Sequence, residues 1–298
     1  MHLTKKITSI LLVMCLVTAS FLTGCSSDNT VIVGSKDFSE NIVVGEMFAQ
    51  LIEAKTDLKV DRKLNMGGTF VCFEALKNGD IDVYPEYTGT ALTAQLNMDV
   101  INDPDEAYRV VSDEFDKQFD IKWLEPMGFN NTYALAITDE AYQKYGVETC
   151  SDLAEVSNEL VFGSDHEFFN RQDGFDAVTE AYGLEFKGEP TKMDISLKYQ
   201  AIGEGDIDLT NVFMTDGPIR QYNLKVLEDD KSFFPPYYAS PIIRNDTLEK
   251  HPELEDILNS LAGKIDDEKM IEVNYKVDVE GQAVEDAARE FLETNGLL

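Results

Sequence analysis

Two aromatic side chains, Tyr87 and Phe213, occupy equivalent places in two similar stretches of the sequence. Each follows a Gly-Asp-Ile-Asp turn, with Tyr87 eight residues after Gly79 and Phe213 eight residues after Gly205. In both stretches an apolar run typical of a β-strand leads from the turn to the ring. Ligands of open α/β sheets bind at the carboxyl ends of the strands. The spacing therefore predicts that two strands present aromatic faces to one cleft from opposite sides.

Groups that could catalyse a reaction or hold a metal are scarce. After the N-terminal segment the chain has only His166 and His251, and no HExxH, Walker A or GxGxxG motif occurs. No Ser-His-Asp or Cys-His arrangement stands in a recognisable context, and a transition-metal site needs more histidines than these. The sequence therefore predicts a binding protein without cofactor or metal, and not an enzyme.

The aspartates of the two repeated turns allow a second interpretation. Asp80, Asp82, Asp206 and Asp208 could suggest a calcium site, because carboxylate oxygens are preferred calcium ligands. Alternate carboxylates that flank a strand are more typical of turns and solvated edges, which is the interpretation we favour.

The charge of the chain excludes some partners. Its 56 acidic residues against 25 lysines and arginines give a formal net charge of −31. Nucleic acids and anionic membrane surfaces would be repelled by such a protein. The charge is compatible with a cationic ligand, and equally with a purely solubilising role.

The N-terminus has the features of an export signal. A basic start, an apolar core too short for a stable membrane span, and small residues end at Cys25. Residues 22–25, Leu-Thr-Gly-Cys, resemble the bacterial lipobox, which implies a signal peptide over 1–24, a lipid on Cys25 and a polar tether over 25–30. The alternative is an ordinary secretory signal with an incidental cysteine.

Two cysteines remain in the exported part, Cys72 and Cys150. A pair in an exported chain invites a disulfide. Both lie in or beside segments with helical patterns that we assign to different lobes, so we predict two buried free thiols.

From residue 31 onward, short β-branched runs alternate with amphipathic helical segments. This order predicts α/β lobes with parallel or mixed sheets and helices on both faces. Ser39 is placed to cap the first helix, and Thr88 and Thr215 to cap the helices after the two rings.

Several motifs together resemble one known family. The residues are SKDFSEN from Ser35, GDIDVYPEYTGTALT from Gly79, GFNNTYALA from Gly128 and FFPPYYASPIIR from Phe233. They look like substrate-binding lipoproteins of osmoprotectant ABC importers, of the glycine betaine, carnitine and choline type. The resemblance implies the type II periplasmic-binding-protein fold, with two α/β lobes, a hinge and two chain crossings near Asn131 and Pro235. Lobe I would comprise 31–131 plus 236–298, and lobe II 132–235.

The resemblance also implies an aromatic cage around a trimethylammonium group. Its walls would be Tyr87, Tyr133, Phe213 and Tyr237. Phe213 departs from the tyrosine that relatives often have, which keeps the ring face and loses the hydroxyl. A quaternary ammonium has no N–H to donate, so aromatic faces suit it well.

The far end of the ligand would meet Asn41, where relatives tend to have glutamine, and Thr69. Tyrosines next to the predicted walls are alternative cage members: Tyr84, Tyr222 and Tyr238. Arg171 and Asp173 resemble a family motif at the rim of the second lobe, and we interpret them as structural.

The function implied is capture of a quaternary ammonium solute for an ABC permease and its ATPase. Because no acidic residue is evident in the turn before Thr69, we expect carboxylate-bearing betaines to be preferred over choline. The alternatives are a receptor for a polyamine, a basic amino acid or a larger betaine such as ergothioneine, or a surface sensor without transport.

Overall fold

The computed structural model describes residues 29–170 and 174–298. The predicted signal peptide, Cys25, Arg171 and Asp173 therefore lie outside the described residues. Within the described part of the chain, no helix has the length and apolar character needed to cross a bilayer.

The first part of the chain alternates strands and helices as the pattern predicts. Its elements are β1 Thr30–Gly34, α1 Ser39–Lys55, β2 Lys59–Lys63, α2 Thr69–Asn78, β3 Val83–Tyr87, α3 Thr88–Thr90 with a following π-helical turn Ala91–Gln95, α4 Pro104–Phe119 and β4 Ile121–Trp123.

The middle of the chain continues this alternation with shorter elements. They are β5 Tyr133–Ile137, α5 Asp139–Tyr145, α6 Cys150–Leu153, a 3-10 turn Ser157–Glu159, β6 Gly163–Asp165, α7 His166–Asn170, α8 Phe175–Tyr182, β7 Thr191–Met193, α9 Ile195–Glu204, β8 Leu209–Phe213, α10 Gly217–Gln221 and β9 Lys225–Val226. The C-terminal part adds one strand and then helices: β10 Ala239–Arg244, α11 Asn245–Lys250, α12 Glu253–Asn259, α13 Asp267–Asp278 and α14 Val284–Thr294.

The first sheet is mixed, with strand order β2-β1-β3-β10-β4. Strand β1 is parallel to β2 and β3, whereas β10 is antiparallel to β3 and β4. Alternate side chains of a strand face opposite sides. Val33 accordingly packs with Met47 and Phe48 of α1 on one face, while Tyr84 packs with Phe115 of α4 on the other. Helices thus cover both faces, and the α/β prediction is confirmed.

The second sheet is antiparallel, with order β8-β5-β9, and a parallel pair β6-β7 lies beside it. Leu135 and Ile137 of β5 pack in one core, and Ala134 and Ala136 pack in another on the opposite face. The middle of the chain therefore builds its own hydrophobic cores, separate from those of the first sheet.

Two segments carry the chain between the sheets, 124–132 and 227–238, and they run side by side. Asn130 and Tyr238 form an antiparallel bridge. The Asn131 N–H donates to the Tyr237 carbonyl at 3.1 Å, and the Thr132 hydroxyl donates to the Pro235 carbonyl at 2.7 Å. These crossing segments surround the predicted crossing points, while the exact limits of the lobes stay a prediction.

The repeated sequence builds the same local structure twice. Helices α2 and α9 end at Gly79 and Gly205, which have φ angles of 78° and 79°, the left-handed conformation that glycine adopts without strain. Asp82 then accepts the N–H of Ile32 at 2.7 Å, and Asp208 accepts that of Val161 at 2.8 Å. Each carboxylate fixes the start of its strand against a neighbouring segment, so these aspartates act in the fold.

The three predicted helix caps are wrong. Ser39 is the first residue of α1 and follows Phe38 at the cap position, and the Ser39 hydroxyl is bonded to Asp278 instead. The Thr88 hydroxyl donates to the Pro236 carbonyl and accepts the N–H of Tyr238, both at 3.1 Å. Thr215 precedes Asp216, the cap residue of α10, and its side chain makes no cap bond. At Ser39 and Thr88, long-range partners have replaced the local ones that a cap would use.

Both cysteines are buried free thiols, as predicted. Burial raises the pKa of Cys72 and of Cys150 to about 12 in each case. The thiol of Cys72 contacts the Ser35 carbonyl at 3.3 Å.

Candidate ligand-binding cavity

A cavity of about 910 Å³ lies where the two sheets and the crossing segments meet. Tyr87 at the end of β3, Tyr133 at the start of β5 and Phe213 at the end of β8 line it. Tyr237, from the second crossing segment, and Thr69, the first residue of α2, line it as well. Five of the six predicted ligand-contacting residues, drawn from separate motifs, therefore face one space.

The sixth, Asn41, does not line the cavity. Its side chain is fully buried and bonded on three sides by protein groups. The amide oxygen accepts the N–H of Lys36 at 2.7 Å, and the amide nitrogen donates to the Pro85 carbonyl at 2.9 Å and to the Tyr87 hydroxyl at 3.4 Å. Asn41 thus contacts Tyr87 from outside the cavity and helps to hold its side chain in place. Thr90, one turn beyond Tyr87, lines the cavity.

On the second sheet, two rings form a joined surface. Tyr133 and Phe213 are directly opposite each other in the β5–β8 register. Their ring centroids lie 4.4 Å apart at an interplanar angle of 29°, a stacked arrangement. Phe168 and Phe234 pack against Tyr133 with centroid distances of 5.5 and 6.2 Å. Tyr133 and Phe213 are therefore held by packing within a cluster of four rings.

On the side of the first sheet, Tyr237 lies over Gly89. A Cβ at Gly89 would sit 2.9 Å from a ring carbon of Tyr237 and 2.8 Å from the Pro236 carbonyl oxygen, so only glycine permits this approach. Tyr87 is 4% exposed, and Phe38 lies beside it with a centroid distance of 6.0 Å.

A buried carboxylate that the sequence reasoning missed, Glu40, also lines the cavity. Its Oε1 accepts the Tyr87 hydroxyl at 2.8 Å and the Asn131 side-chain amide at 2.6 Å. Its Oε2 accepts the Asn274 amide at 2.9 Å, and this amide also donates to the Thr215 carbonyl at 2.8 Å. One carboxylate therefore joins β3, a crossing segment and α13, and through Asn274 the segment after β8. Burial raises the pKa of Glu40, and these hydrogen bonds oppose the rise.

A second missed carboxylate, Asp216, lies on the opposite side. It accepts the backbone N–H of Phe213 at 2.9 Å and the hydroxyl of Tyr199. Burial raises the pKa of Asp216. Tyr199 and Asp216 both line the cavity.

Lys36 is a buried cation at the edge of the cavity. It is ion-paired to Glu86 at 2.5 Å, and both side chains are almost fully buried. Glu86 also accepts the hydroxyl of Tyr84 at 2.8 Å and the side-chain amide of Gln95 at 2.7 Å. The Lys36 ammonium lies 5.1 Å from the centroid of the Tyr87 ring.

The alternative tyrosines fall outside the cavity lining. Tyr84 is fully buried and bonded to Glu86, and neither Tyr222 nor Tyr238 faces the cavity. Tyr222 instead packs against Gly203, where an added Cβ would lie 2.2 Å from its ring.

Four acidic side chains line the cavity: Asp37, Glu40, Asp216 and Asp278. The turn before Thr69 still has no acidic residue, but these four carboxylates from other segments face the same cavity, so the preference for betaines over choline stays a prediction. Among residues 29–170 and 174–298, no three His, Cys, Asp or Glu side chains are grouped to hold a metal ion. Aromatic faces combined with nearby carboxylates form a chemical environment suited to an organic cation.

Comparison with known proteins agrees with this chemistry. Residues 29–294 match the family described as the substrate binding domain of ABC-type glycine betaine transport systems. A carnitine transport binding protein of Listeria monocytogenes is 38% identical over 300 residues, covering 98% of this chain and 97% of the relative. An ergothioneine transport permease/ergothioneine binding protein of Helicobacter pylori is 39% identical over 271 residues, covering 91% of this chain and 48% of the relative.

A solved structure extends the similarity to three dimensions. It is the crystal structure of a glycine betaine/carnitine/choline ABC transporter protein, which is 38% identical and has a TM-score of 0.86. The alignment covers 90% of this chain and 99% of that chain.

The fold and the cavity define a type II periplasmic binding protein, a receptor that takes up a small ligand between α/β units. The chain belongs to the family of substrate-binding domains of ABC-type glycine betaine transport systems. It is a substrate-binding protein of an importer of the glycine betaine, carnitine and choline type, and not an enzyme. Proteins of this family act outside the cytoplasm and work with a permease.

Proposed function

We propose that this protein captures a solute with a trimethylammonium group between Tyr87, Tyr133, Phe213 and Tyr237. The observation that carries the proposal is that these four rings, from four separate motifs, line one cavity. Each desolvated ring face contributes about 0.5–2 kcal/mol to the binding of such a cation. Four faces sum to about 2–8 kcal/mol, so a Kd in the micromolar range, about −8 kcal/mol, requires the upper end of this contribution together with burial of the ligand's methyl groups to offset ordering costs.

The proposal includes closure of two lobes, 31–131 with 236–298 and 132–235, around the ligand. Two rings come from the second sheet, one from the first sheet and one from a crossing segment. A ligand that contacts both lobes binds the closed arrangement more tightly than the open one and so increases its population. The closed arrangement would then be the form that the permease binds.

Calorimetric titration with a panel of ligands tests this proposal. We expect choline, glycine betaine and carnitine to bind with Kd values about micromolar, and spermidine and arginine to bind at least about 100-fold more weakly. Primary ammonium and guanidinium groups carry N–H donors that need carboxylates with free acceptor positions. Binding of spermidine or arginine without binding of any quaternary amine would contradict the proposal.

A larger betaine is the second candidate, and two observations favour it. The cavity of about 910 Å³ is far larger than glycine betaine, and the relative from Helicobacter pylori is named for ergothioneine. Ergothioneine therefore belongs in the same titration panel, where a Kd below that of glycine betaine would select it.

The proposed cellular form is a lipoprotein anchored through Cys25 after removal of residues 1–24. The Leu-Thr-Gly-Cys sequence supports this, followed by a polar stretch that reaches β1. In a bacterial host, we expect the protein to incorporate labelled palmitate and to fractionate with membranes, and Cys25→Ser to remove both properties. The control is Cys72→Ser, which leaves the lipobox intact. Membrane association of the Cys25→Ser protein equal to that of the natural protein would contradict the anchor.

A further inference from the structure

Each aromatic side of the cavity has a carboxylate in direct contact with it, buried at Glu40 and half-buried at Asp216. Glu40 accepts the hydroxyl of Tyr87, and Asp216 accepts the backbone N–H of Phe213. Both carboxylates line the cavity. The two aromatic walls that the repeated sequence supplies are therefore each associated with an anion, although the anions come from unrelated positions in the sequence.

The hydrogen-bond donors around both groups are neutral. Glu40 receives a tyrosine hydroxyl and two asparagine amides, and Asp216 receives a tyrosine hydroxyl and a backbone N–H. Amide N–H groups only donate, so this donor set suits an ionised carboxylate. No ion pair to Glu40 or Asp216 is formed by a lysine or arginine of the described residues. Neither carboxylate is therefore neutralised by a direct ion pair, and both line the cavity.

We propose that Glu40 and Asp216 are specificity-determining residues, two anions lining the cavity that bind the ligand's positive charge through space. This inference rests on the proposed function. A quaternary ammonium cannot donate a hydrogen bond, and an exposed carboxylate would have to lose water to approach it. Protein donors have already replaced that water at Glu40, and they replace part of it at half-buried Asp216, so these anions act on the ligand with little dehydration at the time of binding.

The contact between Glu40 and Tyr87 adds a second effect. A phenol that donates to a carboxylate is polarised, and its ring face becomes more negative. Tyr87 is one of the proposed cage walls, so Glu40 strengthens the interaction of that ring with a cation. Asp216 has no such link, because Phe213 has no hydroxyl and offers only its backbone N–H.

Other charged groups near Glu40 include a cation, Lys36, and a carboxylate, Asp278. The Lys36 ammonium lies 5.1 Å from the centroid of the Tyr87 ring and is ion-paired to Glu86. Asp278 at the end of α13 is bonded to Ser39, the residue before Glu40. Asp278 therefore adds negative charge to the same region.

Near Asp216, the facing titratable groups are Tyr199, Lys198 and Asp278. Lys198 is itself paired with Asp165 at 2.9 Å. Lys198 favours the ionised form of Asp216, whereas burial and Asp278 oppose it.

Pairs of ligands that differ only in charge test the inference. Choline is compared with tert-butylethanol, and glycine betaine with the anion of tert-butylacetic acid. In each pair carbon replaces nitrogen, which keeps the shape and removes the positive charge. We expect Glu40→Gln and Asp216→Asn each to weaken choline binding about tenfold or more and to leave tert-butylethanol within about twofold. The loss for glycine betaine is expected to be smaller, because its own carboxylate is repelled by the same anions.

Glu53→Gln is the matched control, because Glu53 lies on the same helix as Glu40 and pairs with Arg62 at the surface. An equal loss of choline and tert-butylethanol affinity in the Glu40 and Asp216 variants would overturn the inference by showing a structural role. Failure of the natural protein to bind any quaternary amine would instead overturn the proposed function.

The pH dependence of the natural protein is a readout that needs no variant. Because burial raises the pKa of both carboxylates, their protonation on acidification occurs above the ordinary values of 4.5 for Glu40 and 3.8 for Asp216. As the pH is lowered and these two carboxylates become protonated, choline affinity is expected to fall, whereas tert-butylethanol affinity is expected to stay constant. Circular dichroism shows whether the fold persists over the same pH interval. Parallel pH profiles for the two ligands would overturn the inference.

Discussion

Replacing Tyr87 or Tyr133 by alanine is expected to lower the affinity for the best quaternary amine of the panel about 30-fold or more in each case. A desolvated aromatic face contributes about 2 kcal/mol to the binding of such a cation, which is about 30-fold in Kd. The Tyr87 variant also removes a hydroxyl donor from Glu40, and the Tyr133 variant removes the ring on which Phe213 stacks. Isothermal titration calorimetry measures both effects.

Three further variants make this experiment specific. Phe213→Tyr keeps the ring face and is expected to change the affinity by no more than about threefold. Tyr87→Phe keeps the face and removes only the hydroxyl, so its loss isolates the contribution of the bond to Glu40. Tyr142→Ala, on α5 and outside the cavity lining, is the matched control for loss of a tyrosine. Unchanged affinity in both Tyr87→Ala and Tyr133→Ala would mean that the ligand binds elsewhere.

Replacing Lys36 by methionine is expected to lower the free energy of unfolding by about 3–5 kcal/mol. The substitution leaves the Glu86 carboxylate buried without its cation, at a position where no solvent reaches it. The loss of a charge from a buried pair is much more destabilising than the loss of an exposed pair, because the remaining ion has no water to replace its partner. Urea denaturation followed by fluorescence or circular dichroism gives the difference directly.

Lys122→Met is the matched control, because Lys122 pairs with Glu255 at 2.8 Å while both side chains are about 40% exposed. Its effect is expected to stay within about 1 kcal/mol. In a Lys36→Met background, Glu86→Gln is expected to restore part of the stability by removing the isolated charge. Equal effects of Lys36→Met and Lys122→Met would show that the buried ion pair does not have the role assigned to it.

Much of the fold could be predicted from the sequence because its local patterns are strong. The β-branched run of β1, the glycine that ends α2 and the glycine that ends α9 all lie where the sequence places them. Helix caps were the exception. Ser39, Thr88 and Thr215 have the residue types that cap helices, and their hydroxyls lie near distant groups that become neighbours only on folding.

The ring positions and Thr69 of the candidate site were predicted, whereas its carboxylates were not. Tyr87 and Phe213 could be found because a repeated turn gives both the same register and places both at strand ends. Glu40 stands next to Asn41 in a helix, and its sequence context does not distinguish a cavity carboxylate from a solvated one. Asp216 follows Phe213 by three residues, and only this proximity to a predicted wall could have indicated it.

Asn41 is the opposite case, a residue that the sequence predicted in the site and that the structure places outside the cavity lining. Its motif predicted a ligand contact, and the helix turns its side chain toward Pro85 and Tyr87, away from the cavity. Glu40, one residue earlier, faces the cavity. Successive helical residues point about 100° apart, so a shift of one position decides whether a side chain lines the cavity or contacts Tyr87 from outside it.

The sequence by itself determined the alternation of strands and helices, the two aromatic strand ends and the scarcity of catalytic groups. These properties follow from local residue type and spacing, which act before the chain is folded. Only the tertiary structure decided that Asn131 and Asn274 meet at the Glu40 carboxylate, and that Asn274 connects it to the segment after β8. Such a meeting depends on the packing of elements more than 200 residues apart, as in the bond between Glu40 and Asn274, and no local pattern encodes it.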